Sequence, residues 1–282
     1  MKYGSLTLGN IEALCNMCGG EETVDAILRG EKKITIEDII RLLVDKSGRC
    51  IKQPQGTAKV CDANMSLRFD PLPDGFEFQP IGMEVEEFKG RIEAIKAKVA
   101  ANIQVANLLK GVSYPILLPQ ISAGDYGALM EEIFLPLVEA SYTKAFPERK
   151  FYNYHKGKLT SKVSIVDERH QRLVADLSDE PIPGILFFPL QGFSVQAQRE
   201  MANLMPENIS LAGAIEIAVA EATYPRILSR GTTPLKDCSA VLWLDADCSL
   251  CFDARGGQLG FNGRYDLAHA GGNSCGALFC RG

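Results

Sequence analysis

The sequence lacks the linear motifs that identify many nucleotide-binding and metal-dependent enzymes. It contains no Gly-x-Gly-x-x-Gly fingerprint, no phosphate-binding loop of the Gly-x-x-x-x-Gly-Lys type, no His-Glu-x-x-His pair and no EF-hand loop. Three histidines are present, and their spacing fits no known metal motif. The glycine-rich run from Arg255 to Gly260 has neither a phosphate-loop lysine nor a helical pattern after it, so it predicts a turn. No motif therefore assigns a chemistry to this chain.

A long apolar run and a strong excess of one charge are missing as well. The longest uncharged stretch, residues 181–198, contains three prolines and two glycines, which would break a membrane-spanning helix. Thirty basic against 35 acidic residues give a net charge of −5, with 46% hydrophobic residues. This composition excludes a disordered chain, a collagen-like fibre and a membrane bundle, and it disfavours a surface coated in positive charge for nucleic acid. Because residues 1–10 show no signal-peptide pattern, we expect a soluble cytoplasmic protein without a membrane partner.

The nine cysteines are an odd number, so a closed disulfide framework would leave one unpaired. Cys248 and Cys251 are followed by Cys275 and Cys280, and four cysteines so close in sequence are compatible with a tetrahedral zinc site. However, the first pair lies in or beside a predicted strand, where residues three apart point to opposite faces. Buried thiols are therefore the favoured interpretation, and zinc, the one cofactor considered, is the alternative.

Composition and breakers divide the chain into three parts. Residues 1–48 predict three short helices, residues 49–83 a linker or a small hairpin with a Pro-Asp-Gly turn, and residues 84–282 a mixed α/β body. The most regular helix covers 84–110, where apolar residues follow a 3-4 spacing for nearly four heptads and Asn102 occupies a seam position. Such a seam packs either on its own domain or against a second copy of the chain.

The body alternates predicted strands and helices. Apolar runs at 163–166 and 185–190 predict strands, and the part from about 236 onward is β-like and rich in glycine. Helices are predicted over 128–146, interrupted at Pro136, and over 167–177, 194–204 and 210–224. This order favours a partly parallel sheet. The predicted fold class is α/β or α+β: a mixed sheet with flanking helices, a small N-terminal helical segment and a β-rich C-terminal part.

Two stretches of the chain resemble a known group of proteins. They are IEALCNMCGGEETVDAILRGE at 11–31 and FPLQGFSVQAQREMANLMPENISLAGAIEIAVAEATYPRIL at 188–228. Both are similar to a group of uncharacterised bacterial proteins that pair a short N-terminal helical segment with a mixed α/β body, and the resemblance covers most of the chain. Since the group has no assigned activity, the resemblance implies this organisation and no catalytic residue.

Polar residues follow the two predicted strands, where α/β sheets gather their sites. Asp167 and His170 follow the first strand, and Gln191, Gly192 and Ser194 follow the second, at the start of a helix whose free N–H groups favour an anion. If the two strands are parallel neighbours, His170 acts as a general base beside Asp167, with Ser194 orienting or attacking a small anionic substrate. The alternative is that Ser194 is an N-cap and His170 a surface helix residue.

Residues 144–162 hold six Lys or Arg and one Glu, interleaved with aromatic residues. This mixture is typical of a groove for single-stranded nucleic acid, in which cations contact phosphates and rings stack on bases. The candidate ligand-binding residues are Lys150, Tyr152, Tyr154, His155, Lys156 and Lys158. A solvated loop anchored by its aromatic residues and a site for a phosphorylated small ligand are the alternatives.

Three functions thus stay open, and we rank them in this order. A non-catalytic binding or interaction protein, which associates with itself through the 84–110 helix or with another protein, fits the regular seam and the missing motifs. An enzyme acting on a small anionic substrate fits the corners at 167–170 and 191–194. Binding of single-stranded nucleic acid fits residues 144–162.

Overall fold

The structure is a computed structural model that describes residues 12, 15–16, 18–32, 42–53, 56–61, 69–244 and 248–282. The helices in these ranges are α1 (Glu21–Leu28), α2 (Val85–Ala101), α3 (Tyr126–Leu129), α4 (Leu135–Ala145), α5 (Glu168–Asp176), α6 (Val195–Ala202), α7 (Ala214–Thr223) and α8 (Pro225–Leu228), with a 3-10 helix at Ala106–Lys110 and a π-helical turn at Met130–Phe134. Among the described residues, no helix is both long and apolar enough to cross a membrane.

The strands are β1 (Ser113–Leu118), β2 (Lys150–Asn153), β3 (Val163–Ile165), β4 (Ile182–Gln191), β5 (Ile209–Leu211), β6 (Leu235–Trp243), β7 (Cys248–Arg255), β8 (Gln258–Arg264) and β9 (Ser274–Arg281). They form one mixed sheet in the order β1-β4-β9-β6-β7-β8-β2, while β3 pairs with β6 and β5 pairs with β9. The predicted mixed sheet with flanking helices is confirmed.

The strands predicted at 163–166 and 185–190 are not the parallel neighbours that the proposed catalytic arrangement requires. The pairs β6–β9 and β2–β8 are parallel, and the other pairs are antiparallel. The strands β3 and β4 belong to the same sheet, but β3 pairs with β6, whereas β4 pairs with β1 and β9. They are therefore not neighbours, and the corners that follow them are not brought together by direct pairing.

The two faces of the sheet carry separate hydrophobic cores. The first core contains Phe188 and Phe279 and is covered by α3, α4 and α7. The second core contains Phe187 and Leu278 and is covered by α2 and α6. Because successive side chains of a strand point to opposite faces, adjacent residues of β4 and β9 supply different cores. Strand β4 is consequently buried along its whole length, which explains its unbroken apolar run.

The helix predicted over 84–110 consists of α2 followed by the 3-10 helix. Its apolar side chains, including Phe88, Ile92 and Val99, are buried in the second core. Asn102 is the C-cap of α2, and its side-chain oxygen accepts a hydrogen bond from the Gln104 N–H at 3.1 Å. The seam therefore packs on its own sheet. This agrees with the first of the two predicted alternatives: Phe88, Ile92, Ile95 and Val99 are buried without a second copy of the chain.

The N-terminal part agrees with the prediction only in places. The second predicted helix is α1, followed by Gly30 with a positive φ of 74°. The third, expected from Thr35 to before Gly48, falls partly outside the described residues. Residues 42–50 are not helical: an isolated bridge joins Val44 to Cys50 around a turn. Their apolar side chains are buried in the second core, so tertiary contact rather than helical periodicity explains the pattern.

The described residues of 49–83 contain the predicted turn without a hairpin. The Phe76 N–H donates to the Pro73 carbonyl at 3.1 Å, and Gly75 has a φ of 73°. The described residues on either side of this turn form no strand. The segment instead lies as an extended chain over the body, with Phe69, Phe76 and neighbouring aromatic residues packed on the first core.

Two local predictions in the body depend on backbone geometry. The helix expected to break at Pro136 continues, because the π-helical turn precedes it and Pro136 lies in the first turn of α4, where its missing N–H is tolerated. Gly256 and Gly257, with φ values of 57° and 76°, join β7 to β8. Positive φ at both positions suits the tight turn of a two-residue hairpin. The turn predicted over residues 255–260 is therefore confirmed at its two central glycines, whereas residues 258–260 belong to β8.

Candidate functional site

The first candidate corner follows β3. The Asp167 carboxylate caps α5 by accepting the Arg169 and His170 N–H groups at 2.8 and 3.0 Å. A side-chain oxygen at the N-cap accepts hydrogen bonds from backbone N–H groups that have no partner within the helix. Both hydrogen bonds of the Asp167 carboxylate are of this kind. Asp167 therefore contacts the backbone of His170 and serves as the cap of its helix.

The His170 side chain is completely buried, in contrast to both predicted alternatives. Its Nδ1 lies 2.8 Å from Glu216 Oε1, and its Nε2 lies 3.3 Å from the Tyr126 hydroxyl. The Ile215 N–H donates to the same hydroxyl at 3.1 Å. Burial raises the pKa of Tyr126 well above its usual value. This cluster joins α3, α5 and α7 in the interior, and because all three side chains are buried we assign it a structural role.

The second corner follows β4 and is covered by the described residues 49–53 and 56–61. Ser194 is the N-cap of α6, and its hydroxyl accepts the Ala197 N–H at 3.1 Å. Its own N–H donates to the Lys59 carbonyl, and the Gly192 N–H donates to the Ser274 carbonyl, each at 3.0 Å. The predicted anion-binding start of the helix is thus occupied by protein groups.

Gln191 is also buried beneath this cover. The Gln191 side-chain amide donates to the Gly272 carbonyl at 3.0 Å, and the Arg49 guanidinium donates to the backbone carbonyl oxygen of Gln191 at 3.2 Å. His170 and Ser194 share no hydrogen-bond partner, and each is fully buried by different elements. The predicted catalytic arrangement of Asp167, His170 and Ser194 is therefore not assembled, because the two corners belong to strands that do not pair.

The four tail cysteines do not converge on one point. Cys248 and Cys275 lie in the first core and Cys280 lies in the second core, on the opposite face of the sheet. Cys251 is the cross-strand partner of Asp237. Within the described part of the chain, no three His, Cys, Asp or Glu side chains are placed to hold a metal ion. The zinc alternative is corrected for these residues.

Burial governs the chemistry of the same cysteines. It raises the pKa of the Cys280 thiol to about 12, and it raises the pKa values of Cys251 and Cys275 well above their usual range. Such thiols stay protonated at neutral pH and are poor nucleophiles and metal ligands. All four tail cysteines are buried free thiols, as the favoured interpretation predicts.

The basic and aromatic run at 144–162 provides the most exposed candidate surface. It contains β2, which is the last strand at one edge of the sheet and pairs with β8 alone. Lys150, Tyr152 and Tyr154 are spaced by two residues and line one face of this edge. The two tyrosines are 36% and 56% exposed, and their rings are stacked, with centroids 6.1 Å apart and planes inclined by 24°.

A glycine in the neighbouring strand permits this arrangement. Gly260 pairs with Tyr152, and a Cβ atom at Gly260 would lie 3.2 Å from Cε2 of Tyr154. The absence of that atom leaves room for the tyrosine ring over β8. The predicted turn at 255–260 includes Gly260, which lies in β8 instead. A glycine within a strand is a signal for close approach by a neighbour.

The loop after β2 is held by its backbone and presents its lysines to solvent. The Glu131 carboxylate accepts the Lys158 and Leu159 N–H groups at 2.9 and 3.3 Å and the Thr160 hydroxyl at 3.1 Å. Within the described residues, the side chains of Lys150, Lys156 and Lys158 form no ion pair with a carboxylate. Three unpaired cations therefore accompany the exposed tyrosine pair.

His155 does not belong to this exposed surface. It is 3% exposed, and its ring packs on Trp243 and Phe261 with centroid distances of 4.3 and 6.2 Å. Burial lowers the pKa of His155, which favours the neutral ring. Its prediction as a ligand-binding residue is corrected: it anchors the end of β2, because the strand alternation that exposes Tyr154 turns the next residue inward.

Two buried ion pairs of the sheet were not predicted from the sequence: Asp237 with Arg264 and Lys236 with Glu221. The Asp237 carboxylate lies 3.0 Å from Arg264 Nη1 and accepts a hydrogen bond from the Gln198 amide at 2.8 Å. Burial raises the pKa of Asp237 to about 6. The adjacent Lys236 points to the other face and pairs with Glu221 at 2.7 Å. The signal for both pairs was a Lys-Asp dipeptide at 236–237, at the start of the part predicted to be β-like.

Comparisons with known proteins complete the description of the site. No protein-family model, no curated protein and no solved structure matches the chain. Functional residues are consequently identified from the geometry described above.

Proposed function

We propose that this protein is a non-catalytic binding protein whose ligand is single-stranded nucleic acid. The binding surface is the tyrosine edge, which we define as Lys150, Tyr152, Tyr154, Lys156 and Lys158. The observation that carries the proposal is the stacked and exposed pair of Tyr152 and Tyr154 at an edge strand, with Lys150 on the same face and the exposed Lys156 and Lys158 in the loop that follows.

The tyrosine rings support recognition of bases. Each base stacked on an aromatic side chain contributes about 1–3 kcal/mol to binding, and every base offers a flat face. The rings of Tyr152 and Tyr154 are stacked on each other, with centroids 6.1 Å apart, and both are exposed to solvent. Bases can therefore stack on the exposed ring surface of this pair.

The lysines support recognition of the backbone. A cation without a protein partner loses no ion pair when it contacts a phosphate, and it releases condensed counterions from the nucleic acid. The chain as a whole carries a net charge of −5, so the rest of its surface repels a polyanion. Attraction is therefore concentrated at the tyrosine edge, which favours one short contact region.

A single strand fits this surface better than a duplex. In a duplex the bases are stacked on each other, and their faces are inaccessible to side chains. The tyrosine edge presents rings on a short strand and no helix that enters a groove. We infer that affinity for single strands exceeds affinity for a duplex of the same sequence.

Fluorescence anisotropy with labelled oligo-uridine and oligo-thymidine tests the proposal. We expect binding at low salt, with a negative slope of log K against log salt that becomes shallower by about one for each lysine replaced by glutamine. Each of Tyr152→Ala and Tyr154→Ala should weaken binding by about 5- to 100-fold, whereas the phenylalanine variants retain stacking.

The matched control is Tyr265→Ala, which removes another exposed tyrosine outside the tyrosine edge. It should leave the affinity unchanged. Absence of binding at low salt refutes the proposal, as does a double variant Tyr152→Ala/Tyr154→Ala that binds like the parent protein.

A further inference from the structure

A separate groove lies at the opposite edge of the sheet, along β1. It has a volume of about 680 Å³ and is bounded by β1, α4, α7 and the extended segment 76–81. This volume falls within the range of small-molecule sites, about 300–1,000 Å³. We call it the β1 groove. It contains none of the residues of the tyrosine edge.

The lining of the β1 groove is mainly apolar. Aromatic rings form one wall: between ring centroids, Phe76 lies 5.3 Å from Phe78, and Phe78 lies 5.5 Å from Phe88. Aliphatic side chains of β1, α4 and α7 form the floor and the other wall; they include Ile116, Leu117, Leu137 and Val219. An apolar ligand body would therefore be surrounded on several sides.

Two apolar side chains at this groove remain in contact with water. Ile81 is 87% exposed and Leu137 is 41% exposed. Single exposed apolar residues are common, but these two line the same concave surface. Covering them with an apolar ligand would remove their surface from water, which is favourable in proportion to the area buried.

Positive charge is concentrated at one end of the β1 groove. Lys144 and Arg226 both line it, and Phe146 lies near them, since the Arg226 guanidinium is 5.6 Å from the Phe146 ring centroid. Within the described residues, neither cation forms an ion pair with a carboxylate. The single carboxylate of the lining, Glu77, is exposed and lies between the inward Phe76 and Phe78.

Among the described lining residues, Glu77, Lys144 and Arg226 carry a charge, and the part of the lining around Leu137 and Pro119 is apolar. Leu137 precedes Lys144 by seven residues on α4, which corresponds to about 10 Å along a helix. The Tyr224 hydroxyl donates to the Pro115 carbonyl, so the start of β1 lies beside the basic end. The chain then runs through Leu117 to Pro119, away from that end. The groove thus combines a basic end with an apolar end.

We propose that the β1 groove binds an amphipathic monocarboxylate, a free medium-chain fatty acid. Its carboxylate lies between Lys144 and Arg226, and its chain extends toward Leu137 and Pro119. The charge complementarity of Lys144 and Arg226 selects an anion, and the apolar lining selects an apolar tail.

Isothermal titration calorimetry with decanoate tests this assignment. We expect one saturable site per chain. The double variant Lys144→Gln/Arg226→Gln should weaken binding at least tenfold, because it removes both cations and leaves the apolar lining intact. Decylamine, which has the same tail and the opposite charge, should bind at least tenfold more weakly than decanoate.

The matched control is Lys110→Gln, an exposed lysine outside the groove, which should bind decanoate like the parent protein. A second substitution, Leu137→Asp, places a carboxylate at the apolar end and should also weaken binding. Absence of saturable binding overturns the proposal, as does equal affinity for decanoate, decanol and decylamine, or decanoate binding that Lys144→Gln/Arg226→Gln leaves unchanged. Sedimentation with anionic vesicles in place of binding to free decanoate would identify a membrane surface and would overturn it too.

Discussion

The buried ion pair between Lys236 and Glu221 provides a sharp test of the structure. Both side chains are completely buried, and the Lys236 ammonium nitrogen lies 2.7 Å from Glu221 Oε1. The ammonium also donates to the Leu228 carbonyl at 2.7 Å, and the Ser229 hydroxyl donates to Glu221 Oε2 at 2.5 Å. The pair thereby links β6 to α7 and α8 inside the first core.

The stability effect of this pair follows from two opposing terms. At 2.7 Å and an effective dielectric constant of about 20, the attraction between the charges is about 6 kcal/mol. Burial of each ion opposes folding by several kcal/mol, so the intact pair contributes little net stability. Lys236→Met removes the attraction and leaves the Glu221 carboxylate buried. We expect this variant to lose about 3–5 kcal/mol of unfolding free energy.

The double variant Lys236→Met/Glu221→Leu removes both charges and should recover most of that loss. The Leu228 carbonyl keeps a donor in the Thr233 hydroxyl, and only the Ser229 hydroxyl loses its acceptor. We expect the double variant to lie within about 2 kcal/mol of the parent protein. Urea unfolding followed by circular dichroism measures all three proteins and gives the coupling energy of the pair.

The control for this experiment is an ion pair of similar length on the surface. Lys89 lies 2.9 Å from Glu86, and both side chains are half or more exposed. Lys89→Met should change stability by less than about 1 kcal/mol. The reasoning is refuted if Lys236→Met is no more destabilising than Lys89→Met, or if the double variant is as unstable as Lys236→Met.

Three further predictions concern other buried groups. The pKa of Asp237 is raised from 3.8 to about 6, so the native state binds the carboxyl proton more tightly than the unfolded chain does. The unfolding free energy should therefore fall by about 3 kcal/mol as the pH rises from about 4 to 6. Asp237→Asn should abolish this pH-dependent loss, as measured by urea unfolding at each pH. Gly213→Ala would place its Cβ 2.4 Å from His170 Nε2, and we expect a loss of about 1–3 kcal/mol in the same assay, whereas Gly90→Ala, on an exposed helix face, should not destabilise. Alkylation followed by mass spectrometry should label the half-buried thiols in the native protein and all nine after unfolding; native labelling of a fully buried thiol would contradict the structure. The half-buried thiols are Cys15, Cys18 and Cys61.

Part of the candidate surface followed from local sequence. The two-residue alternation of a strand places Lys150, Tyr152 and Tyr154 on one face, whatever the rest of the fold does. The same alternation turns His155 inward, but its burial depends on Trp243, which lies far along the chain. A polar loop sequence carries no signal for such a distant ring, so His155 was included among the exposed residues.

The corners at 167–170 and 191–194 show where local reasoning ends. That Asp167 and Ser194 begin helices is determined by short-range hydrogen bonds, and both were recognised as potential caps or helix starts. Whether the corners meet depends on the order of the strands in the sheet. Strand β9 lies between β4 and β6, and β3 pairs with β6, so β3 and β4 are not adjacent. His170 lies in a polar helix, and only the docking of α3 and α7 encloses it.

By itself, the sequence determined the α/β class, the positions of most helices and of two strands in the body, and the glycine turn between β7 and β8, because hydrogen-bonding periodicity and backbone preferences act over a few residues. Only the tertiary structure decided which strands pair, which charges are buried and which cations share the β1 groove. Lys144 and Arg226 meet there although 82 positions separate them in the chain. Residues so far apart in the chain come together because whole helices and strands pack on each other. The free energy of this packing is distributed over many contacts between distant parts of the chain.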